Sequence, residues 1–188
     1  YDIAQNLFIS KNNLLVEGPA DLLYITILSS ILEGEKRIGL KDSYTIVPVG
    51  GLDKVTTFIS LLRGQKLNAV CLLDSFTDQK GKQRVDDLIM HKIIREKNIR
   101  FFDEFANNGM KTADIEDLFT KDEYLSIFNQ AFKGDHSEIK IGDLDSSIET
   151  ILKQINKVIK KDRFNHYRPA NKLNQLGVDK TFFSEATL

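Results

Sequence analysis

Three short apolar runs limit what this chain can fold into: NLLVE at 13–17, YTIVPVG at 44–50 and LNAVCLLDS at 67–75. Their apolar residues follow one another instead of alternating, so a sheet made of them needs cover on both faces, as parallel sheets do. Between the runs the spacing turns helical. From Pro19 to Leu32, residues Leu22, Leu23, Ile25, Leu28, Ile31 and Leu32 form a broad apolar face. Proline at the first helical position and an acid in the first turn mark its start. GLDKVTTFISLLRG (51–64) reads as a second helix, 83–96 as a third, and IRFFDEF (99–105) as a fourth strand. Strand and helix thus alternate through the first hundred residues, which predicts an α/β fold with a mostly parallel sheet flanked by helices.

Beyond that alternation the pattern is helical. TKDE at 120–123 has capping-box spacing and opens a helix ending near Phe132. The least apolar stretch, 133–147, reads as a linker, and after it Ile148, Ile151, Leu152, Ile155, Val158 and Ile159 share one helical face. Two units are expected: a core α/β domain over 1–132 and a helical C-terminal annex over 133–188.

Charge leaves the partner open, because 26 basic and 27 acidic residues give a net charge of −1 and no global positive field for nucleic acid. The single cysteine, Cys71, excludes an internal disulfide and a multi-cysteine zinc site; it reads as a small buried hydrophobe in a reducing compartment. No run reaches the ~18 apolar residues of a membrane span and no signal-peptide pattern opens the chain, so no membrane partner and a cytoplasmic location are expected. The chain starts at Tyr1 and enters a core strand within about a dozen residues, which leads to the expectation that it is a piece of something longer.

Ligands in open α/β sheets collect at the carboxyl ends of strands. Glu17 ends the first run and Asp74 the third, while Asp21 stands at the mouth of the first helix. TADIEDLF (112–119) crowds Asp114, Glu116 and Asp117 into four positions. Its plainer reading is an acidic helix start favoured by the macrodipole. Taken with the other acids, these hard oxygen donors point to Mg²⁺ or Mn²⁺; zinc would ask for histidine or cysteine, and the three histidines are scattered. GGLDKV (50–55) is a glycine-rich turn able to present N–H groups to a phosphate, with Lys54 as its candidate cation, although a plain tight turn explains it as well. The basic run KGKQR (80–84) could follow a nucleic-acid backbone or be a solvated loop.

LLVEGPADLLY, VPVGGLDKV, VCLLDS and ADIEDLF, in that order, resemble the Toprim domain, and within that group the nuclease half of the overcoming lysogenization defect (OLD) family. The resemblance spans about 10–120 with a weaker echo in the tail. It implies a metal-dependent endonuclease acting on DNA, with RNA as an open alternative, and a pair of Mg²⁺ or Mn²⁺ ions. Glu17 corresponds to the first-strand glutamate and Asp74 to the first acid of a DxD pair, but the second position holds Phe76. Asp78 is one candidate to replace it; Asp21 with Glu116 or Asp117 is the other. The family also places a basic residue from the C-terminal helices over the scissile phosphate, for which RFNHYRPANKL (163–173) offers His166, Arg168 and Lys172. An ABC-type ATPase half absent from this chain, homo-oligomerisation mainly through that half, and a role in antiphage defence are further implications. The rival reading is a catalytically inactive Toprim-like module that binds nucleic acid or a partner.

Overall fold

The computed structural model describes residues 11–40, 43–64, 67–75, 79–106 and 109–188. Four strands, β1 (Asn12–Val16), β2 (Tyr44–Pro48), β3 (Asn68–Leu73) and β4 (Ile99–Phe101), form one sheet in the order β2-β1-β3-β4. Every pairing is parallel, with Leu15 opposite both Val47 and Cys71, and Cys71 opposite Ile99. Helices α1 (Pro19–Gly34), α2 (Leu52–Gly64) and α3 (Gln79–Met90) connect the strands in the alternation the sequence predicts.

The two faces of the sheet carry separate cores, because successive side chains of a strand point opposite ways. Leu15, Val47, Cys71, Leu73 and Ile99 pack with Val55, Ile59 and Leu62 of α2 and Val85 and Leu88 of α3. On the opposite face Leu72 packs against a core that begins with Ala20 and Tyr24 of α1 and runs on through Phe128, Ile155 and Leu173 to Phe183. That second core takes in α4 (Lys121–Ala131), α5 (Ile151–Ile159) and α6 (Tyr167–Leu176). The C-terminal helices therefore share one apolar interior with α1.

Several boundaries differ from the sequence-based expectation. α3 spans 79–90 rather than 83–96, since its polar opening QKGKQR is helical despite its composition, and Lys92 at φ 55° follows its end. The fourth strand stops at Phe101 because 102–104 turn into a 3₁₀ helix, held by the Glu104 carboxylate accepting from Phe101 N at 2.8 Å. The capping box is present: Thr120 Oγ1 accepts from Glu123 N at 3.3 Å while Glu123 Oε2 accepts from Thr120 N at 2.8 Å. Residues 133–147 are irregular but pinned, with Ile139 3% exposed and bonded through both backbone groups to the Asn129 amide.

Candidate functional site

Strand order decides where a crevice forms. The chain leaves β1 for β2 on one side and returns to β3 on the other, so β1 and β3 flank the switch point at which α/β sheets bind ligands. Glu17 is the residue after β1 and Asp74 the residue after β3. The structure brings them together: Asp74 N donates to Glu17 Oε1 at 3.2 Å.

Local bonds then assemble the rim. Asp21, buried at the third position of α1, accepts from Gly18 N at 2.8 Å through Oδ2 and so ties the strand-to-helix turn. The Glu17 carbonyl accepts from both Gly50 N and Gly51 N at 2.9 Å. Gly50 and Gly51 have φ of 82° and 111°, the region where glycine is favoured. Their N–H groups are thus engaged by protein rather than presented to a phosphate. Lys54, exposed, arches over this turn, with Nζ 3.2 Å from where a Cβ on Gly50 would stand.

The third set of acids arrives through Ser75. Its N–H donates to the Ala113 carbonyl at 3.1 Å, its Oγ accepts from Ala113 N at 3.1 Å, and its hydroxyl donates to Asp103. Ala113 is fixed in this way at the end of β3, and the next residues form a 3₁₀ turn, Ile115–Leu118, carrying Asp114, Glu116 and Asp117. Asp117 has a structural job there, accepting from Asp114 N at 3.0 Å and from Ile151 N, the first residue of α5, at 2.7 Å. Glu116 is 3% exposed, and Asp114 makes no capping bond to its own turn.

Electrostatics mark these carboxyls as one group. Burial lifts Asp74 to about 10, reinforced in turn by the charges of Glu17, Asp114, Asp21 and Glu116. Burial first, then Asp21 and Asp114, lifts Glu17 to about 7 against the bond from Asp74 N. Asp21 and Asp117 are each raised to about 6, chiefly by burial. Asp114 and Glu116 are raised by burial too, and Lys153 of α5 offsets part of the rise at Asp114. Among the described residues no three His, Cys, Asp or Glu side chains form a ready-made tight metal array. The donor set nonetheless fits a hard dication, since oxygen ligands that repel each other in a half-buried crevice are what such an ion neutralises.

The remaining sequence candidates lie elsewhere. Arg168 pairs with Asp135 and lies 4.4 Å over the Phe132 ring. The His166 ring packs at 5.0 Å on Phe164, its Nε2 buried without a partner, and burial lowers its pKa. Both sit by the C-terminal end of α4, whereas Asp117 precedes its N-terminal end; eleven helical residues span roughly 16 Å. Lys172 is half-buried on α6. Asp78 and Phe76 lie outside the described residues. Sequence reasoning missed Lys153 and Ser75. Lys153 is one of two exposed lysines of α5, and Ser75 is set apart by partners 28 and 38 residues away.

Residues 8–75 match the family model described as overcoming lysogenization defect protein-like, TOPRIM domain. Solved structures similar to this chain include the C-terminal region of the OLD protein of Xanthomonas campestris pv. campestris, with TM-score 0.57 and 18% identity over 96% of this chain and 92% of that one. The C-terminal region of the Burkholderia pseudomallei OLD protein is similar as well, with TM-score 0.57 and 16% identity over 96% and 92%. No curated protein matches the sequence significantly. Residues 8–75 thus resemble an OLD-like Toprim segment, and the chain shares the α/β fold of OLD C-terminal regions. None of the described helices is long and apolar enough to cross a membrane.

Proposed function

We propose that this chain is a metal-dependent nuclease module hydrolysing phosphodiester bonds of DNA, with Glu17, Asp21, Asp74, Asp114 and Glu116 holding Mg²⁺ or Mn²⁺, two ions in the full complement. The observation that carries this reading is the meeting of Glu17 and Asp74 at the switch point, where Asp74 N donates to Glu17 Oε1 at 3.2 Å, with Asp21, Asp114 and Glu116 close enough to help burial raise the Asp74 carboxyl. Such a group is an anion near neutrality only beside a cation. When bound, the metal supplies Lewis-acid stabilisation of charge on the transferring phosphoryl group.

The chain's own residues have separate roles. Glu17 receives the Asp74 N–H on Oε1, which leaves Oε2 to hold or take up a proton. Lys153, the cation sensed by Asp114, is the proposed phosphate contact from the C-terminal helices, in place of Arg168 and His166. Lys54 offers a second positive charge at the rim beside Glu17. Asp117 holds the turn and α5 in register rather than serving as a ligand.

An ABC-type ATPase half, assembly through that half, a cytoplasmic location and antiphage defence complete the proposal, supported by the likeness to C-terminal regions of OLD proteins. The test is incubation of supercoiled and linear DNA with Mn²⁺, alongside Glu17→Ala and Asp74→Ala. Cutting by the parent chain and by neither variant is expected. Phe76 at the second DxD position favours the second reading, an inactive binding module, which predicts metal-independent binding without cutting.

A further inference from the structure

A cavity of about 300 Å³ opens beside Ser75, one residue from Asp74, at the β4 edge of the sheet. Its volume is at the lower end of small-ligand sites. Half-buried Phe101 and Ile89, with Val85 and Ile99 beneath them, give it an apolar wall. Lys82 and Lys111 stand exposed on its lining, and Lys82 belongs to the basic run 80–84 now placed at the start of α3. Asp86 and Glu96 also line it. Asp103, the other acid there, is engaged by the Ser75 hydroxyl.

We infer that this cavity is a nucleobase subsite for a single-stranded nucleotide next to the cleaved phosphate, selective for bases that carry an exocyclic amino group. An aromatic and aliphatic wall is what an unstacked base packs on, and lysines beside it follow the flanking phosphates. Asp86 and Glu96 offer only acceptors, so they suit the two-hydrogen amino group of cytosine or adenine better than thymine, whose one N3–H lies between two carbonyls that repel a carboxylate. Ser75 forms both the cavity wall and the anchor of the acidic turn, which puts a base held here within reach of a phosphate at Asp74. The inference rests on the nuclease reading for its substrate class.

The experiment is fluorescence anisotropy of labelled single-stranded oligo-dC, oligo-dA and oligo-dT with the full chain in EDTA, where no cutting occurs, followed by a separate Mn²⁺ cleavage assay. Oligo-dC and oligo-dA are expected to bind about tenfold more tightly than oligo-dT, Phe101→Ala to weaken them about tenfold, and the exposed change Lys82→Glu to weaken all three. Equal binding of the three oligomers, or selectivity unchanged in Phe101→Ala and affinity unchanged in Lys82→Glu, overturns the subsite even if Mn²⁺-dependent cutting persists. Selective binding without any cutting upholds the subsite and overturns the nuclease reading instead.

Discussion

At the scale of single residues, the raised carboxyls have opposite consequences for stability and for metal binding. A carboxyl whose folded pKa exceeds its unfolded value favours the folded state while protonated; this contribution is full below about pH 4 and is lost as pH rises through 6 for Asp21 and Asp117 and through 7 for Glu17. For Glu17 the span from 4.5 to about 7 amounts to roughly 3 kcal/mol. The metal-free protein is therefore expected to lose thermal stability between pH 5 and pH 8, and Mn²⁺ to raise Tm more at pH 8 than at pH 5, as differential scanning fluorimetry would record. Glu17→Gln should raise the metal-free Tm at pH 8 by several degrees, on the order of 2–4 °C per kcal/mol, and leave it unchanged at pH 4. Asp74→Asn should raise it at pH 8 at least as much and change it little at pH 4, because a folded Asp74 at about 10 must take up a proton that the unfolded chain has lost at pH 8. A Glu17→Gln protein less stable at pH 8 than its parent would mean that burial and the neighbouring acids do not penalise the Glu17 charge. Glu17, Asp74 and the 114–117 acids were all legible in the sequence, since each ends a strand or crowds a short polar turn. Lys153 was not, because exposure on an amphipathic helix looks the same whether or not an acid faces it.

Elements show why some of the architecture could be read and some could not. β1, β2 and β3 were foreseen within one or two residues, because continuous apolar runs bounded by Gly, Pro and acids leave few alternatives. The end of β4 and the extent of α3 escaped, since one depends on the Glu104 and Asp103 side chains bonding back and the other on a polar helix start that resembles a loop. Ser75 is where elements depend on one another: it fastens the end of β3 to the 3₁₀ turn that carries Asp114 and Glu116. Ser75→Ala removes the Oγ acceptor and the bond to Asp103, so cleavage should fall roughly 10- to 100-fold, the usual cost of losing a residue that orients ligands. Its circular dichroism should stay native; cleavage at the parent rate would show that the turn holds without it. On the opposite face Phe128, 1% exposed between Phe132 and Phe164 at 4.7 and 5.0 Å, anchors α4 to the C-terminal segment. Phe128→Ala should cost about 3–5 kcal/mol by urea unfolding, and a loss below about 1 kcal/mol would contradict a shared core.

Over the whole molecule, a sheet of four strands and a set of C-terminal helices converge on one crevice. α5 begins where Asp117 accepts its first N–H, and Glu149 just before it accepts from Lys111 N at 2.5 Å and Thr112 Oγ1 at 2.9 Å. The helical segment therefore braces the acidic turn instead of merely covering the sheet. Folding brings residues 17, 21, 74, 114 and 116 into mutual electrostatic reach, an arrangement that opposes stability in the absence of a cation and becomes favourable with one. The most direct measurement of that claim is an anomalous difference map from crystals of the full chain soaked in Mn²⁺. Manganese density between Glu17 and Asp74, with Asp114 or Glu116 completing its oxygen shell, is the predicted result. Crystals that take up no manganese at this rim, or bind it only elsewhere while Glu17 still receives the Asp74 N–H, would contradict it.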